Sequence, residues 1–428
     1  MRIVEYTPDR FESLRRAAEQ MSPTVSLRHR PFVDYYFATR DWCKLYLFLR
    51  DDESVAATLG YERMRFEYEG RELIIGIGSS FWSLQKGAGG FLFMQQLKDC
   101  PIGITINGSA YTQQIMKNLK WSYFEGIHDF HLNAPRQRGA AKWLRHWLQR
   151  LVRVEVDFDG DRIRFHRLRS KKLESQPLIK VRMPRLSAWL TASTGGRTNV
   201  VALGERLARR LGANVLVREE HAYTEDLIPR TSPFTFRFAP DLDHLAWRYA
   251  LNLSFVRYRL FRIVVRGVST GYVILNETPS RLMVAQCDAN DPTTLVHGIL
   301  LSLAEASRSD EQPREVSLTL CHRGMQAFFQ SFGFRRAGVD RVFNMGTLRG
   351  GVDLSSDTSN WLVNYDWGDT GLLGPFLDEV DVRSPRGAEG RDARPDPGPG
   401  GGGRVRPGGA APPGVPCVPA GDGLPTPP

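Results

Sequence analysis

Between Leu73 and Trp121, the sequence contains apolar runs typical of strands and other runs typical of helices. A glycine-rich turn separates the first strand-like run from the first helix-like run. The apolar run Leu73–Gly78 predicts a strand, and the glycine-rich turn Gln85–Gly90 follows it. A helix of mixed pattern starts near Phe91. Such a turn presents backbone N–H groups at the positive end of a helix dipole, where phosphate oxygens bind. The stretch therefore predicts both strands and helices, with a ligand-binding turn between them.

Composition limits the classes of protein that this chain can belong to. Its 428 residues are enough for two or three domains, and 42% are apolar. No run of 18 apolar residues predicts a membrane span, and the first residues lack the pattern of a secretory signal. Five widely spaced cysteines fit neither a disulfide framework nor a zinc site. We therefore expect a reducing, cytoplasmic location.

The net charge of +10 favours anionic partners such as nucleotides, nucleic acid, acidic sugars or a membrane surface. It does not choose among them, and a solvated basic surface is the ordinary explanation.

The first 133 residues are predicted to form a strand, a helix, several antiparallel strands and then a strand–helix–strand–helix–strand series. Asp9 can cap the first helix. The predicted strands are Ile3–Tyr6, Leu45–Leu49, Ser54–Tyr61, Arg63–Tyr68, Leu73–Gly78, Ile102–Ile106 and Trp121–Phe130. The predicted helices are Arg10–Met21, one that starts near Phe91, and Ser109–Leu119.

A connecting region follows, and then a second block repeats the element order of the first. The connection is predicted to hold an amphipathic helix, a hairpin across Asp159 and Gly160, and a poorly patterned segment. These three are Ala134–Leu151, Val152–Phe165 and Lys171–Asn199. A repeat of this size favours two related domains. The second block is predicted to contain the helices Val200–Leu211, Leu242–Leu251, Thr293–Ala306 and Gly324–Phe332, and the strands Ala213–Arg218, Arg257–Arg266, Val268–Leu275, Arg281–Cys287, Glu315–Cys321 and Arg341–Gly346.

Each half resembles a domain of the GNAT superfamily of acyltransferases. The family's pyrophosphate loop is Arg or Gln, two residues, Gly, one residue, then Gly or Ala. Gln85 and Gly90 match this spacing, and Ala88 stands where the first Gly belongs. The family's next signature carries a Tyr seven positions after a polar residue. Met116 and Phe329 occupy that position in the two halves.

The resemblance implies an α+β fold of two tandem GNAT-like domains, each a mixed, mainly antiparallel sheet flanked by helices. Together with Trp361–Asp369 after the last strand, the tandem plan is similar to GNAT proteins of polysaccharide or cell-envelope biosynthesis and to Fem-type aminoacyl transferases. The expected divisions are an N-terminal domain with the acyl-CoA site, the connection, a C-terminal domain with a degenerate cofactor loop, a closing segment and a disordered Pro/Gly-rich tail. Their limits are 1–133, 134–199, 200–350, 351–382 and 383–428.

The resemblance also implies where acetyl-CoA, or another acyl-CoA, would lie. It would run along the fourth strand, where Ile77 and Gly78 give backbone N–H groups to the pantetheine and the thioester carbonyl. The turn would hold the pyrophosphate, because glycine allows close backbone approach and Lys86 adds a charge. The residues of that turn are Gln85, Lys86, Gly87, Ala88, Gly89 and Gly90.

Acyl transfer to an amine needs a base for the ammonium and often an acid for the leaving thiolate. Met116 and Phe329 cannot donate a proton, so Tyr111 is the candidate acid. Glu62 and Glu67 are the candidate bases, although a surface carboxylate is the ordinary explanation for each.

No metal is expected to serve this chemistry. His128 and His131 are three apart on a strand and so face opposite sides. The acidic run Asp157–Asp161 lacks the glycine position and bidentate Glu of a calcium loop.

The sequence therefore predicts an N-acyltransferase that moves an acetyl or other acyl group from acyl-CoA to a small-molecule amine, such as an amino sugar or a cell-envelope precursor. Two alternatives stay open. One is a non-catalytic GNAT-like binding or scaffold protein. The other is a Fem-type transferase that uses charged tRNA, which the positive charge permits without requiring. The acceptor and the oligomeric state are left open by the sequence.

Overall fold

The computed structural model describes residues 1–21, 26–85, 87–106, 109–133, 154–159, 162–167, 176–182, 198–310, 313–337, 341–348, 352–364 and 366–367. Several features of the sequence analysis lie wholly or partly outside these residues: Lys86, the helix Ala134–Leu151, the hairpin turn at Gly160, most of the connection Lys171–Asn199, the end of the closing segment and the tail 383–428.

Eighteen strands and eight α-helices occur within the described residues. The strands are β1 Arg2–Glu5, β2 Cys43–Leu49, β3 Val55–Tyr68, β4 Arg71–Ser83, β5 Ile102–Ile106, β6 Ser122–Phe124, β7 His128–Leu132, β8 Val154–Asp159, β9 Arg162–Arg167, β10 Gln176–Arg182, β11 Val215–Glu220, β12 Phe236–Phe238, β13 Arg257–Val265, β14 Val268–Glu277, β15 Arg281–Ala289, β16 Glu315–Leu320, β17 Arg335–Arg336 and β18 Phe343–Thr347. The helices are α1 Phe11–Met21, α2 Arg30–Ala38, α3 Ala88–Asp99, α4 Ala110–Asn118, α5 Val200–Leu211, α6 Leu242–Arg248, α7 Pro292–Ala306 and α8 Arg323–Ser331.

The strands form two large mixed sheets and one small one. The first sheet has the order β1-β2-β3-β4-β5-β18-β6, with β12 also paired to β3. The second has the order β11-β13-β14-β15-β16-β7-β17. In each, one central pair is parallel, β4 with β5 and β15 with β16, and the other pairs are antiparallel. The third is the antiparallel sheet β10-β9-β8.

The first sheet takes β18 and the short β12 from the second half of the sequence, and the second sheet takes β7 from the first half. β18 lies between β5 and β6, with Met345 opposite both Ile104 and Ser122. β7 lies between β16 and β17, with Phe130 opposite Leu318. The two halves are therefore interlocked by a reciprocal exchange of strands.

Three apolar cores hold the sheets and helices together. The largest packs residues of both large sheets with α1, α2 and α6. A second lies between the second sheet and α5, α7 and α8, and the third lies between the first sheet and α3. Both faces of the first sheet are therefore covered, which positions α3 beside β4 and β5.

The structure corrects four element predictions. The strands Ser54–Tyr61 and Arg63–Tyr68 are one strand, β3, because Glu62 between them is buried and paired on both sides. The aromatic strand Trp121–Phe130 is two strands, β6 and β7, because Gly126 turns the chain with a φ of +87°. β10 falls in the predicted connection Lys171–Asn199. The helix α2 was not predicted, although Pro31 and four buried apolar side chains mark it.

Candidate functional site

The fourth and fifth strands of the first sheet separate part of the way along their length. They pair only over Gly76–Gly78, opposite Gly103–Thr105. Gly60 pairs with Ser79, but Thr58 pairs with Trp82, so β4 carries a bulge at this point. Ser80 in the bulge has a φ of +48°. Bulges bend a strand and end its pairing, and this one leaves the end of β4 without β5 beside it.

The glycine turn lies at the end of β4 and opens onto α3, as the sequence predicted. Gly87 is the N-cap, with a φ of +89° and no side-chain cap. The N–H groups of Gly89 and Gly90 lie in the first helical turn, where an α-helix offers no backbone acceptors. A Cβ on Gly90 would meet nothing within 4 Å, whereas one on Gly89 would lie 2.6 Å from the Phe81 ring. The outer side of the turn is therefore open to an anion, and its inner side is packed.

Tyr111 lies at this turn. Its hydroxyl accepts a hydrogen bond from the Gly87 N–H over 3.4 Å, and its ring stacks on Phe81 with centroids 6.4 Å apart. Phe81 is four residues beyond Ile77, about 13 Å along an extended strand. The hydroxyl therefore lies beside the glycine turn rather than near Ile77, where the thioester is expected.

Two buried oxygens beside Gly78 have no hydrogen-bond partner among the described residues. They are Gln96 Oε1 and Thr105 Oγ1, on side chains that are 0% and 5% exposed. A Cβ on Gly78 would lie 3.2 Å from Thr105 Cγ2 and 3.6 Å from Gln96 Oε1. An unpaired buried polar group costs about 1–3 kcal/mol. Both oxygens are enclosed by protein atoms, so they are unsatisfied polar groups of the core beside the point where β4 and β5 separate.

Glu62 is buried between the two sheets. It is opposite Ile77 in the register, and its carboxylate contacts His244 Nε2 at 2.9 Å and Arg248 Nε at 2.8 Å. Burial raises the pKa of Glu62, but Arg248 and His244 outweigh burial and the net change is downward. A carboxylate held ionised in this way is mainly part of a structural ion pair. It must separate from His244 and Arg248 before it can accept a proton.

Glu67 lies far from the diverging strands. It is six residues beyond Tyr61, the β3 residue opposite Gly78, which is about 20 Å along a strand. Its carboxylate contacts Arg237 Nη2 at 2.8 Å, and Arg237 also pairs with the buried Asp288. The structure brings Ile77, Gly78, the glycine turn and Tyr111 along one cleft, and it leaves Glu67 outside.

The second sheet has the same divergence but a different helix start. β15 and β16 pair only over Arg281–Met283, and β15 also carries a bulge, near Ala285. At the start of α7, however, the Asp291 carboxylate accepts from the Thr294 N–H over 2.8 Å. Pro292 in the first turn has no N–H to give. A carboxylate of the chain therefore already takes the place of an anion there.

Neither a membrane span nor a metal centre is found among the described residues. No helix there is long and apolar enough to cross a bilayer. No group of three or more His, Cys, Asp or Glu side chains is arranged to hold a metal ion. Four of the cysteines lie in this part of the chain, and all four are buried free thiols.

Comparison with known proteins gives matches in fold alone. No protein-family model and no curated protein sequence matches the chain. In structure it is similar to a GCN5-related N-acetyltransferase from Anabaena variabilis, at 11% identity and a TM-score of 0.42 over 80% of this chain and 72% of that one. It is similar to a tandem GNAT protein from the clavulanic acid biosynthesis pathway, at 11% identity and a TM-score of 0.42. That match covers 82% of this chain and 99% of the other. It is also similar to a putative acetyltransferase from Pyrococcus horikoshii, at 10% identity and a TM-score of 0.43. That match covers 85% of this chain and 94% of the other.

The fold class follows from the strands and helices of this chain. Both large sheets are mixed and mainly antiparallel, both are flanked by helices, and each has a bulged strand that separates from its parallel neighbour. The predicted α+β class, with two mixed, mainly antiparallel sheets flanked by helices, is confirmed.

Proposed function

We propose that this chain is a GNAT-type N-acyltransferase that binds acyl-CoA in its first half and transfers the acyl group to a small-molecule amine. The observation that carries the proposal is the open, glycine-lined start of α3 beside the bulged end of β4. The predicted cytoplasmic location belongs to the same proposal.

Three parts of acyl-CoA, the pyrophosphate, the pantetheine and the thioester, would have matching groups along the end of β4 and the start of α3. The N–H groups of Gly89 and Gly90 suit the pyrophosphate, because they lie at the positive end of the α3 dipole. The end of β4, which is not paired with β5 beyond Gly78 among the described residues, suits the amides of the pantetheine. The thioester would then lie near Ile77 and Gly78, as the sequence analysis expects.

Chemistry at the thioester follows from this placement. The amine nitrogen attacks the carbonyl carbon and forms a C–N bond, and backbone N–H groups stabilise the resulting oxyanion. The C–S bond then breaks, the thiolate leaves, and the nitrogen loses a proton to a base. Glu62 is the predicted base closest to Ile77 in the register, and it would act only after release from His244 and Arg248.

Gly90→Asp tests the proposal, with Gly90→Ala as the matched control. No atom lies within 4 Å of a Cβ at this position, so both substitutions fit sterically. The aspartate places a negative charge where the pyrophosphate would bind. Ligand at 100 times its Kd stabilises a protein by about 2.7 kcal/mol. We expect acetyl-CoA to raise the Tm of the unsubstituted and Gly90→Ala chains and to leave that of Gly90→Asp unchanged.

The proposal is wrong if millimolar acetyl-CoA leaves the Tm of the unsubstituted chain unchanged. An equal Tm rise in the aspartate variant would show instead that acetyl-CoA binds away from the glycine turn.

A non-catalytic binding protein is the second candidate function. Met116 and Phe329 stand where the family carries its Tyr, and both are fully buried. A chain of this kind would bind CoA without releasing thiol. Thiol release from acetyl-CoA in the presence of a panel of amines separates the two, because only the enzyme releases CoA in proportion to acetylated amine.

A further inference from the structure

A segment near the end of the described chain lies in the gap between β15 and β16. We call it the strap and define it as residues 361–364 and 366–367. At one side, the Trp361 carbonyl accepts a hydrogen bond from Cys321 Sγ, just after β16, over 2.8 Å. At the other, the Asp366 N–H donates to the Ala285 carbonyl in the β15 bulge over 3.3 Å. The strap therefore bridges the two strands where they separate.

Side chains fix the strap along β15. Cys287 Sγ donates to Asn364 Oδ1 over 3.1 Å, and Asn364 Nδ2 donates to the Cys287 carbonyl over 3.4 Å. The Trp367 indole N–H donates to Gln286 Oε1 over 3.2 Å. Trp361 and Trp367 are both fully buried. The segment is therefore part of the core and pairs with strand residues on both its backbone and its side chains.

A buried charge cluster holds the same segment from the other side. Arg248 Nη2 donates to the Asp366 carbonyl over 3.0 Å, and the Tyr258 hydroxyl donates to Asp366 Oδ2 over 3.2 Å. Arg248 is the residue that also pairs with Glu62 of the first sheet. The strap is thus anchored to both halves of the molecule.

The corresponding gap in the first sheet differs. There, Gln96 Oε1 and Thr105 Oγ1 lie next to Gly78 with no hydrogen-bond partner in the described part of the chain. In the second sheet, Gln286 and Cys287, which follow the bulge on β15, are both bonded to the strap. The residues just beyond the β15 bulge are thus bonded by the chain itself, whereas Ser317 Oγ on β16 and Asp366 Oδ1 in the strap have no partner among the described residues.

We propose that the strap permanently occupies the second cleft as an internal substitute for a pantetheine arm, so that each chain binds one acyl-CoA. This inference rests on the proposed function of the first cleft. The Asp366 backbone N–H bonded to the bulged strand offers the hydrogen bond that an amide of pantetheine would offer. The Asp291 carboxylate at the start of α7 closes the phosphate end in the same way.

A crosslink tests whether the strap stays in place during function. Asn364→Cys puts a thiol beside Cys287. Oxidised glutathione, reduced to two molecules of glutathione, would join the two sulfurs. We expect the crosslink to form, as a mass loss of two hydrogens, and the crosslinked and reduced chains to bind CoA with Kd values within twofold of each other. Because both positions are buried, the oxidised glutathione is added while the reduced chain refolds, and a tenfold difference in Kd between the crosslinked and reduced chains overturns the proposal.

Stoichiometry tests whether the second cleft is closed. Calorimetric titration with CoA should give one site in the unsubstituted chain and none in Gly90→Asp. Two sites in the unsubstituted chain and one in Gly90→Asp would overturn the strap proposal. That result would leave the proposed function standing. No binding to the unsubstituted chain would contradict the proposed function instead. In that case hydrogen exchange tests the strap proposal separately. Protection of the Asp366 amide supports the proposal, and exchange at the rate of an unfolded peptide overturns it.

Discussion

Tyr111 shows how the location of one side chain limits its chemistry. Its hydroxyl accepts from the Gly87 N–H, so its own proton can donate to a phosphate of CoA in the proposed complex. Tyr111→Phe removes that hydroxyl and keeps the ring on Phe81. One neutral hydrogen bond contributes about 1 kcal/mol. A loss of that size raises the Kd for CoA about fivefold. We expect kcat and its pH profile to stay unchanged.

Phosphate-free pantetheine is the control for this variant, and its Kd should not change. A large loss of kcat together with the loss of a basic limb in the pH profile would contradict this prediction. It would support the role of thiolate acid that the sequence analysis gives to Tyr111.

Glu62 and Glu67 show what sequence reasoning misses at the scale of residues. The sequence analysis gives a surface carboxylate as the ordinary explanation for each, although Glu62 lies two residues before Met64 and four before Phe66, on their apolar face of the strand. Glu62 is instead buried, because His244 and Arg248 come to it from more than 180 residues away in sequence. Nothing local to β3 indicates that pair. The glycines of the turn, in contrast, were found because their pattern is local.

Strand exchange is the main feature at the scale of elements. β18 completes the first sheet beside β5, and β7 completes the second beside β16. Residues 1–133 alone would lose β18, and residues 198–428 alone would lose β7. We expect neither fragment to fold by itself and the two together to form one complex, because the Asn133 side chain already bonds the Thr198 backbone N–H over 2.6 Å.

Amide NMR spectra of each fragment and of the mixture check this prediction. Dispersed resonances for residues 1–133 alone would contradict it, and so would a mixture whose spectrum is only the sum of the two.

Individual elements were largely predictable, and their partners were not. The helix α5 and the strand β5 begin and end where the sequence analysis placed them. Both have a strong local pattern and clear punctuation, such as Gly212 after α5. The bulges in β4 and β15 were not predicted, because a bulge depends on the register with the neighbouring strand.

At the scale of the whole molecule, Asp366 connects stability to pH. Burial raises its pKa from the usual 3.8 to about 6, although Arg248 acts in the opposite direction. The folded state then binds the proton more tightly than the unfolded state, so stability falls as pH rises between these two values. For one such group the free energy of unfolding falls by up to about 1.4 kcal/mol per pH unit.

Asp366→Asn removes this group from the titration and keeps the shape of the side chain. We expect the free energy of unfolding, measured by urea between pH 4 and 6, to fall less steeply in the variant. Asp288 has a pKa of about 6 as well, and the pKa of Glu62 is shifted the other way, so the test is the difference between the two chains. Equal slopes would contradict the prediction.

The sequence by itself determined the local features of this protein. It determined most helices and strands, the α+β class and the glycine turn at the start of α3, because periodicity, caps and turns act between residues that are close along the chain. Only the tertiary structure decided the exchange of β7 and β18, the burial of Glu62 and the strap in the second cleft. These depend on contacts between distant residues, and such pairing is fixed by packing and burial rather than by any local pattern.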